Sequence, residues 1–146
     1  MQQDLYYIKD APNKSFEQCV ADTTEMIKAR KFGVLHVHDI GQTLRSKGQA
    51  FEEKCHVFEV CNPVHAAKVL AADIRMNMAL PCRVSVYTDK GAVKVGMIKP
   101  GMMLTMMSSD AALGEVAMEV EGILCNAIDA IATETVPAAA EEAKKE

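Results

Sequence analysis

The sequence predicts an α+β fold, with a curved, mainly antiparallel sheet packed by helices and a long helix at the C-terminal end. Late in the chain, two strand-like segments are separated by only two residues, which favours antiparallel pairing over a doubly wound parallel sheet. The segment that follows them keeps an apolar stripe at helical spacing from Leu113 to Ile131. The length of 146 residues fits one domain around one core.

The first half of the chain predicts strands that alternate with capped helices. Ser15 is placed to cap the first helix, and Asp39 a short second one, because their side-chain oxygens accept from free backbone amides. Asn62 as N-cap and Pro63 at the first helical position begin a third helix, since proline lacks the amide hydrogen that this position leaves unpaired. The predicted strands of this half comprise residues 5–8, 34–38 and 54–61.

The second half predicts a hairpin and then the longest helix. Residues 83–89 and 92–98 read as two strands joined by Lys90-Gly91, where glycine supplies a positive φ angle. Pro100-Gly101 ends the sheet, and the helix follows from about residue 109 or 110 to residue 133. From Pro137 onward the chain is alanine and charge. We therefore expect one domain over residues 1–136 and a disordered tail over residues 137–146.

The early strands carry apolar residues on both faces. Leu5 and Tyr7 alternate with Tyr6 and Ile8 on opposite faces of the first strand. Because helices can cover only one face of a small antiparallel sheet, the second apolar face predicts a homodimer.

Composition and charge exclude several classes of function. A net charge of −4 and few aromatic residues argue against a nucleic-acid partner, which would meet a basic surface. No run approaches the roughly 18 apolar residues of a membrane span. The first residues lack the features of a signal peptide, so we expect a cytoplasmic protein. Its five cysteines, with no CxxC pair, are then expected to be free thiols.

Two short segments are the best candidates for a functional site, namely Cys61-Asn62-Pro63 and Leu80-Pro81-Cys82. Each places a thiol where a strand meets a helix or loop. Cys61 precedes a helix N-terminus, where the helix dipole and free amides can stabilise a thiolate. The alternative is that Cys61 is a packed junction residue. Cys82 alternates with Val84 and Val86, a pattern typical of a core position.

Other candidate sites carry weaker signals. His36 and His38 share one side of a strand and could bind a metal, but no third ligand lies at a diagnostic spacing. The methionines before the last helix, at positions 102, 103, 106 and 107, fit a core or dimer surface better than a copper site. The pair Glu52-Glu53 reads as solvated loop charge. Signatures of common enzyme classes and of cofactor binding are absent from the sequence, so we expect neither a catalytic residue nor a cofactor.

Several separate motifs resemble the domain-of-unknown-function family 302, over roughly residues 5–131. The resemblance implies a TATA-binding-protein-like sheet gripped by helices, commonly a homodimer, and no agreed catalytic activity. Three residues depart from the family pattern and change the charge near the candidate site. Glu59 stands where glycine is frequent, Arg83 where asparagine is usual, and Lys99 where aspartate is common. The matching motifs are Asp39-Ile40 with Thr43-Leu44, Cys61-Asn62-Pro63, Leu80-Pro81-Cys82, residues 84–87, and Pro100 with Met103-Leu104.

The sequence thus predicts a cytoplasmic dimer that binds a small ligand, or senses oxidants, near Cys61, Asn62, Pro63 and Cys82. A thiol-dependent enzyme that uses Cys61, with His65 nearby, is the second hypothesis. The handling of copper or zinc is the third.

Overall fold

A computed structural model describes residues 4–134 of the chain. The disordered tail predicted from Pro137 onward lies outside the described residues. The described part contains one five-stranded sheet, and every neighbouring pair of strands is antiparallel. The predicted α+β class, antiparallel sheet and long C-terminal helix are therefore confirmed.

The strands do not lie in the sheet in their order along the chain. The first strand pairs with the fifth, so the order across the sheet is β1-β5-β4-β3-β2. This arrangement places residues about 90 positions apart on neighbouring strands, as in the pair Ile8 and Gly96. The strands are β1 (Tyr6–Asp10), β2 (Gly33–Asp39), β3 (Cys55–Cys61), β4 (Cys82–Asp89) and β5 (Ala92–Ile98).

Helix starts follow the capping residues of the sequence. Ser15, Asp39, Asn62 and Asp110 each accept a hydrogen bond from the backbone amide three residues ahead, which satisfies one free donor of the first turn. The helices are α1 (Phe16–Ala29), α2 (Ile40–Ser46), α3 (Pro63–Ala72), a 3-10 helix (Ile74–Ala79), α4 (Pro100–Met107) and α5 (Ala111–Thr133).

The sequence did not predict α4 or the 3-10 helix. The sheet ends before Pro100-Gly101, as predicted, but Pro100 also begins α4, where its missing amide hydrogen costs nothing. Leu104 of α4 is buried in a second, smaller core cluster with Leu113 and Ala117 of α5 and Val69 of α3. Residues of both additional helices line the site described below.

One face of the sheet is covered by helices. Alternate residues of the central strands point into a core that α1 and α5 close. Phe58 and Val60 of β3 and Val84 and Val86 of β4 are almost fully buried there. We call this the covered face and the opposite side of the sheet the open face.

Two polar contacts on the helix side tie α5 to the rest of the fold. Lys14 and Asp22 form a buried ion pair at 2.6 Å, and the Lys14 ammonium also donates to the carbonyl of Ile131 at 2.8 Å. Lys14 therefore caps the end of α5 while it neutralises Asp22. The Tyr7 hydroxyl donates to Asp129 of α5 at 2.7 Å, which ties β1 to the same helix.

The hairpin turn has the predicted geometry and an unpredicted partner. Lys90 and Gly91 both have positive φ, at 52° and 84°, as a two-residue hairpin turn requires. Glu53 was interpreted as solvated loop charge, and this was wrong. Its carboxylate accepts from the Lys90 and Gly91 amides and from the Thr88 hydroxyl. These bonds, the one from Lys90 foremost, hold the pKa of Glu53 below its usual range.

Among residues 4–134, no helix is both long and apolar enough to cross a membrane.

Candidate functional site

The two candidate cysteines lie side by side at one end of the sheet. Cys82 pairs with Val60 in the β3–β4 ladder, which places it beside Cys61, the last residue of β3. Both side chains line a small apolar cavity of about 40 Å³ between the sheet end, α3 and α5. That volume accommodates a few water molecules at most, so it is too small for an organic ligand.

The Asn62 side chain forms hydrogen bonds on both sides of this junction. Its Oδ1 accepts from the His65 amide at 3.1 Å and so caps α3, as predicted. Its Nδ2 donates to the carbonyl of Lys31 at 3.1 Å. Pro63 follows as the first residue of α3. The Asn62-Pro63 pair therefore fixes the turn from β3 into α3.

The surroundings of both cysteines disfavour the thiolate. Burial raises the pKa of Cys61 above its usual range. Burial, with a smaller effect from the neighbouring Cys61, raises the pKa of Cys82 to about 11. Desolvation disfavours the charged thiolate form of both cysteines. The predicted helix start at Asn62 is present, and whether it makes the Cys61 thiol reactive stays a prediction.

His65 lies on the wall of the same small cavity. Its ring packs near Phe32, with centroids 6.0 Å apart, and its Nε2 lies 3.5 Å from Glu119 Oε1. Its Nδ1 is buried and has no hydrogen-bond partner within the described chain. Of the two ring nitrogens, only Nε2 therefore lies near a polar group of the described chain, and the ring does not form a hydrogen bond with Cys61.

The segment Leu80-Pro81-Cys82 separates this cavity from a much larger groove. All three residues line both spaces. The Leu80–Pro81 peptide is cis, and Leu80 packs against the smaller core cluster. This segment is thus a shared wall, with the buried cysteine cavity behind it and the groove in front.

The groove runs over the open face and has a volume of about 750 Å³. Its floor is a row of residues from all five strands, because the ladders place Ile8 opposite Gly96, Gly96 opposite Ser85, and Ser85 opposite Val57. His38 completes the row opposite Val57.

Gly96 is a required part of that floor. A β-carbon at this position would lie 3.0 Å from the Tyr7 carbonyl oxygen and 3.0 Å from Ile8 Cγ1. Such contacts are tighter than packed proteins normally allow. The glycine lets β1 approach β5 closely and lets the Ile8 side chain lie over the floor.

The groove is flanked by apolar walls. Met78 and Ala79 of the 3-10 helix contribute on one side, and Pro100 and Met103 of α4 contribute nearby. These residues belong to the two helices that the sequence did not predict. Tyr6 and Ile98 extend the apolar surface and are 60% and 50% exposed.

The charges around the groove are unevenly paired. His38 Nε2 lies 3.1 Å from Glu59 Oε1, and Lys94 forms an ion pair with Asp10 at 2.6 Å. Arg83 lines the groove, is exposed, and has no ion-pair or hydrogen-bond partner among residues 4–134.

His36 and His38 share one side of β2, as predicted, with ring centroids 4.4 Å apart. They do not belong to a larger donor set. Across the part of the chain that the structure describes, no group of three or more histidine, cysteine or carboxylate side chains comes together in a way that could hold a metal.

Sequence reasoning found the wall of the groove but missed its floor. Cys61, Asn62, Pro63 and Cys82 are brought together at the sheet end, but among them only Cys82 reaches the groove. The floor residues are ordinary strand residues. The one signal for them was the second apolar face of the early strands, which the sequence analysis assigned to a partner subunit.

Comparisons with known proteins agree with this architecture. Residues 7–131 match the family model described as domain of unknown function DUF302. The chain is also similar to the crystal structure of an uncharacterized conserved DUF302 protein from Bacillus stearothermophilus. The two are 34% identical, the similarity covers 86% of this chain and 96% of that one, and the TM-score is 0.80. No curated protein matches the chain.

Proposed function

The chain belongs to the DUF302 family, whose description assigns no activity, and from its own geometry we propose that it binds a small, largely apolar molecule in the groove on the open face. The observation that carries the proposal is the groove itself. Its volume of about 750 Å³ falls within the range of roughly 300–1,000 Å³ that is typical of small-molecule sites. Its floor is mostly apolar, and a few polar groups converge on it.

The candidate cysteines have a supporting role in this proposal. Cys82, with Leu80 and Pro81, forms the wall of the groove, while Cys61, Asn62 and Pro63 hold the strand end behind that wall. This division agrees with their geometry, since the groove can accept an organic ligand and the cysteine cavity cannot.

Ligand binding is better supported than thiol chemistry. An oxidant sensor and a thiol-dependent enzyme both need a thiolate at neutral pH, and burial raises the pKa of Cys61 and Cys82 instead. Metal handling needs a set of donors, which residues 4–134 do not assemble. The geometry of the described residues therefore supports ligand binding in the groove better than thiol chemistry or metal handling.

The proposal is tested by binding of an uncharged apolar dye, N-phenyl-1-naphthylamine, followed by its fluorescence. The test variant is Ile98→Gln, which makes a half-exposed groove residue polar. The control is Val64→Gln, since Val64 is 62% exposed on α3 and does not line the groove. Loss of apolar contact at Ile98 should weaken dye binding by about three- to tenfold, while the control should bind as the wild type does.

Two results would overturn the proposal. One is the absence of saturable binding to the folded wild-type protein. The other is equal weakening by both variants, which would place the dye on general apolar surface. Matched thermal unfolding curves for the two variants keep a folding defect from being mistaken for lost binding.

We also propose that the protein is a homodimer in which the open faces meet. The support is the exposed apolar surface at Tyr6 and Ile98, outside the floor row, which a second copy would cover while leaving the groove between the subunits. Tyr6→Glu should then produce monomers in sedimentation velocity at micromolar concentration, and Val64→Glu should not. A wild-type protein that sediments as a monomer contradicts this arrangement.

Cytoplasmic location, free thiols and the absence of a cofactor or a nucleic-acid partner stay predictions of the sequence.

A further inference from the structure

We propose that the groove selects an amphipathic anion, whose apolar body lies on the open-face floor and whose anionic head is bound by Arg83. This inference rests on the proposed function, because it names the class of ligand for the same groove. A single-chain carboxylate is the simplest member of that class.

Arg83 is positioned at the edge of the apolar floor. It precedes Ser85 by two residues on β4, so the two side chains share the open face, about 7 Å apart along the strand. Ser85 lies in the centre of the floor row between Gly96 and Val57. A guanidinium group within one side-chain length of an apolar surface is the arrangement that an amphipathic anion requires.

The Arg83 guanidinium has no partner within the described chain. The ladder places Glu59 directly opposite Arg83 on β3, so an ion pair between them would be expected. The Glu59 carboxylate instead turns to His38 on β2, with Oε1 3.1 Å from Nε2. Arg83 therefore keeps all five of its donors available beside an apolar surface.

Two lysines near the open face already have partners within the described chain. Lys94 pairs with Asp10 at 2.6 Å, and Lys99 donates to the Asp4 carbonyl at 3.0 Å. Among the described residues that line the groove, Arg83 is the one with a permanent charge. An anionic head in the groove is therefore directed to Arg83.

Glu59 acts as the competitor that tunes this site. It is the carboxylate nearest to Arg83 in the ladder, so its charge repels an incoming anion even while it contacts His38. Removing the Glu59 charge should strengthen anion binding, and removing the Arg83 charge should weaken it. These opposite effects on anion affinity distinguish a specific anion site from nonspecific binding to the apolar groove.

The experiment compares dodecanoate with dodecan-1-ol, which share a chain length and differ in charge. Each ligand is kept below its own aggregation concentration and is used at pH 8 to displace N-phenyl-1-naphthylamine. The loss of dye fluorescence is measured for the wild type, Arg83→Gln and Glu59→Gln. The wild type should prefer dodecanoate. Arg83→Gln should lose about fivefold in dodecanoate affinity, as expected for one partly exposed ionic contact, with dodecan-1-ol unchanged. Glu59→Gln should increase the affinity for dodecanoate.

The outcomes separate this inference from the proposed function. Equal binding of both ligands to the wild type and to Arg83→Gln overturns the anion proposal and leaves the apolar groove intact. Binding of neither ligand overturns both. Co-sedimentation with vesicles of anionic phospholipid, without binding of monomeric dodecanoate, would assign Arg83 to a lipid surface and overturn the proposal of a free ligand. Loss of the dodecanoate preference in 0.5 M NaCl would support it, because salt screens an exposed ionic contact.

Discussion

The two faces of the sheet are built from alternate residues of the same strands, yet helices cover only one of them. On β3, Phe58 is 2% exposed beneath the helices, while its neighbour Val57 lies on the groove floor. On the covered face and its helices, Lys14 and Tyr7 have close partners. On the open face, Arg83 has none among the described residues.

This difference indicates what each face is for. The covered face satisfies the ordinary requirements of a stable core, since its apolar side chains are buried and its buried charges, Lys14 and Asp22, pair with each other. The open face leaves apolar surface beside an unpaired guanidinium, which adds little to the stability of the isolated chain. Such a surface is typical of a binding site.

The largest expected effect is the removal of a large side chain from the covered face. Phe58→Ala should reduce the free energy of unfolding by about 3–5 kcal/mol, because it leaves a cavity in the core. Val57→Ala, one residue away on the open face, should cost less than about 1 kcal/mol. Chemical denaturation of both variants measures the difference. Similar losses at the two positions would break the distinction between the faces.

The next effect concerns charge. Lys14→Met should cost about 3 kcal/mol, because it leaves the buried Asp22 carboxylate with the neutral Gln18 amide but no cation, and it removes a cap from α5. Arg83→Met, on the open face, should change stability by no more than about 0.5 kcal/mol. Urea unfolding at pH 7 compares the two. A large loss in Arg83→Met would mean that this side chain is structural rather than free for a ligand.

A smaller and pH-dependent effect is expected at Tyr7. Its hydrogen bond to Asp129 and, secondarily, its burial raise its pKa to about 12 from an ordinary value of 10.0. The neutral phenol is the stabilising form, so its contribution is complete below about pH 10 and disappears as the pH rises through about 12. Tyr7→Phe should cost about 1–2 kcal/mol at pH 8. The gap to the wild type, measured by urea unfolding, should narrow above pH 10, and a constant gap would contradict this assignment.

The smallest expected effect is the labelling of the candidate cysteines. At pH 7.5, iodoacetamide should modify Cys61 and Cys82 more slowly than a free cysteine, because burial raises the pKa of both thiols. Cys82 should react readily only as the pH approaches 11. Peptide mass spectrometry measures each site, and labelling in guanidinium chloride gives the reference. Rapid labelling of native Cys61 at neutral pH would return thiol chemistry to consideration.

Local features of the fold could be predicted from the sequence. Helix starts at Ser15, Asp39 and Asn62 depend on hydrogen bonds that span three residues, and the hairpin depends on Lys90-Gly91 alone. The start of α4 at Pro100 was missed because proline followed by glycine also ends structure. Pro100-Gly101 is compatible both with the end of a strand and with the start of a helix, and only its tertiary contacts show that a helix begins here.

The site could be predicted only in part, because most of it depends on the order of strands. The pairing of Ile8 with Gly96, and of Glu53 with the distant hairpin turn, follows from contacts between strands that are far apart in sequence. The Cys61 and Cys82 motifs were visible because each lies at the end of an element. The sequence shows the helix N-terminus beside Cys61 but does not show the burial that raises the pKa of this thiol, so it left the reactive and the packed readings of Cys61 both open.

The most direct test of the binding face is to map where a ligand touches the protein. Backbone amide chemical shifts of the ¹⁵N-labelled protein would be recorded while dodecan-1-ol is added. Because this ligand is uncharged, the result does not depend on Arg83. The account predicts that the perturbed amides cluster on Ile8, Val57, Ser85 and Gly96, which join across four strands of the open face. Perturbations that cluster on α1 and α5, or the absence of any saturable change, would contradict it.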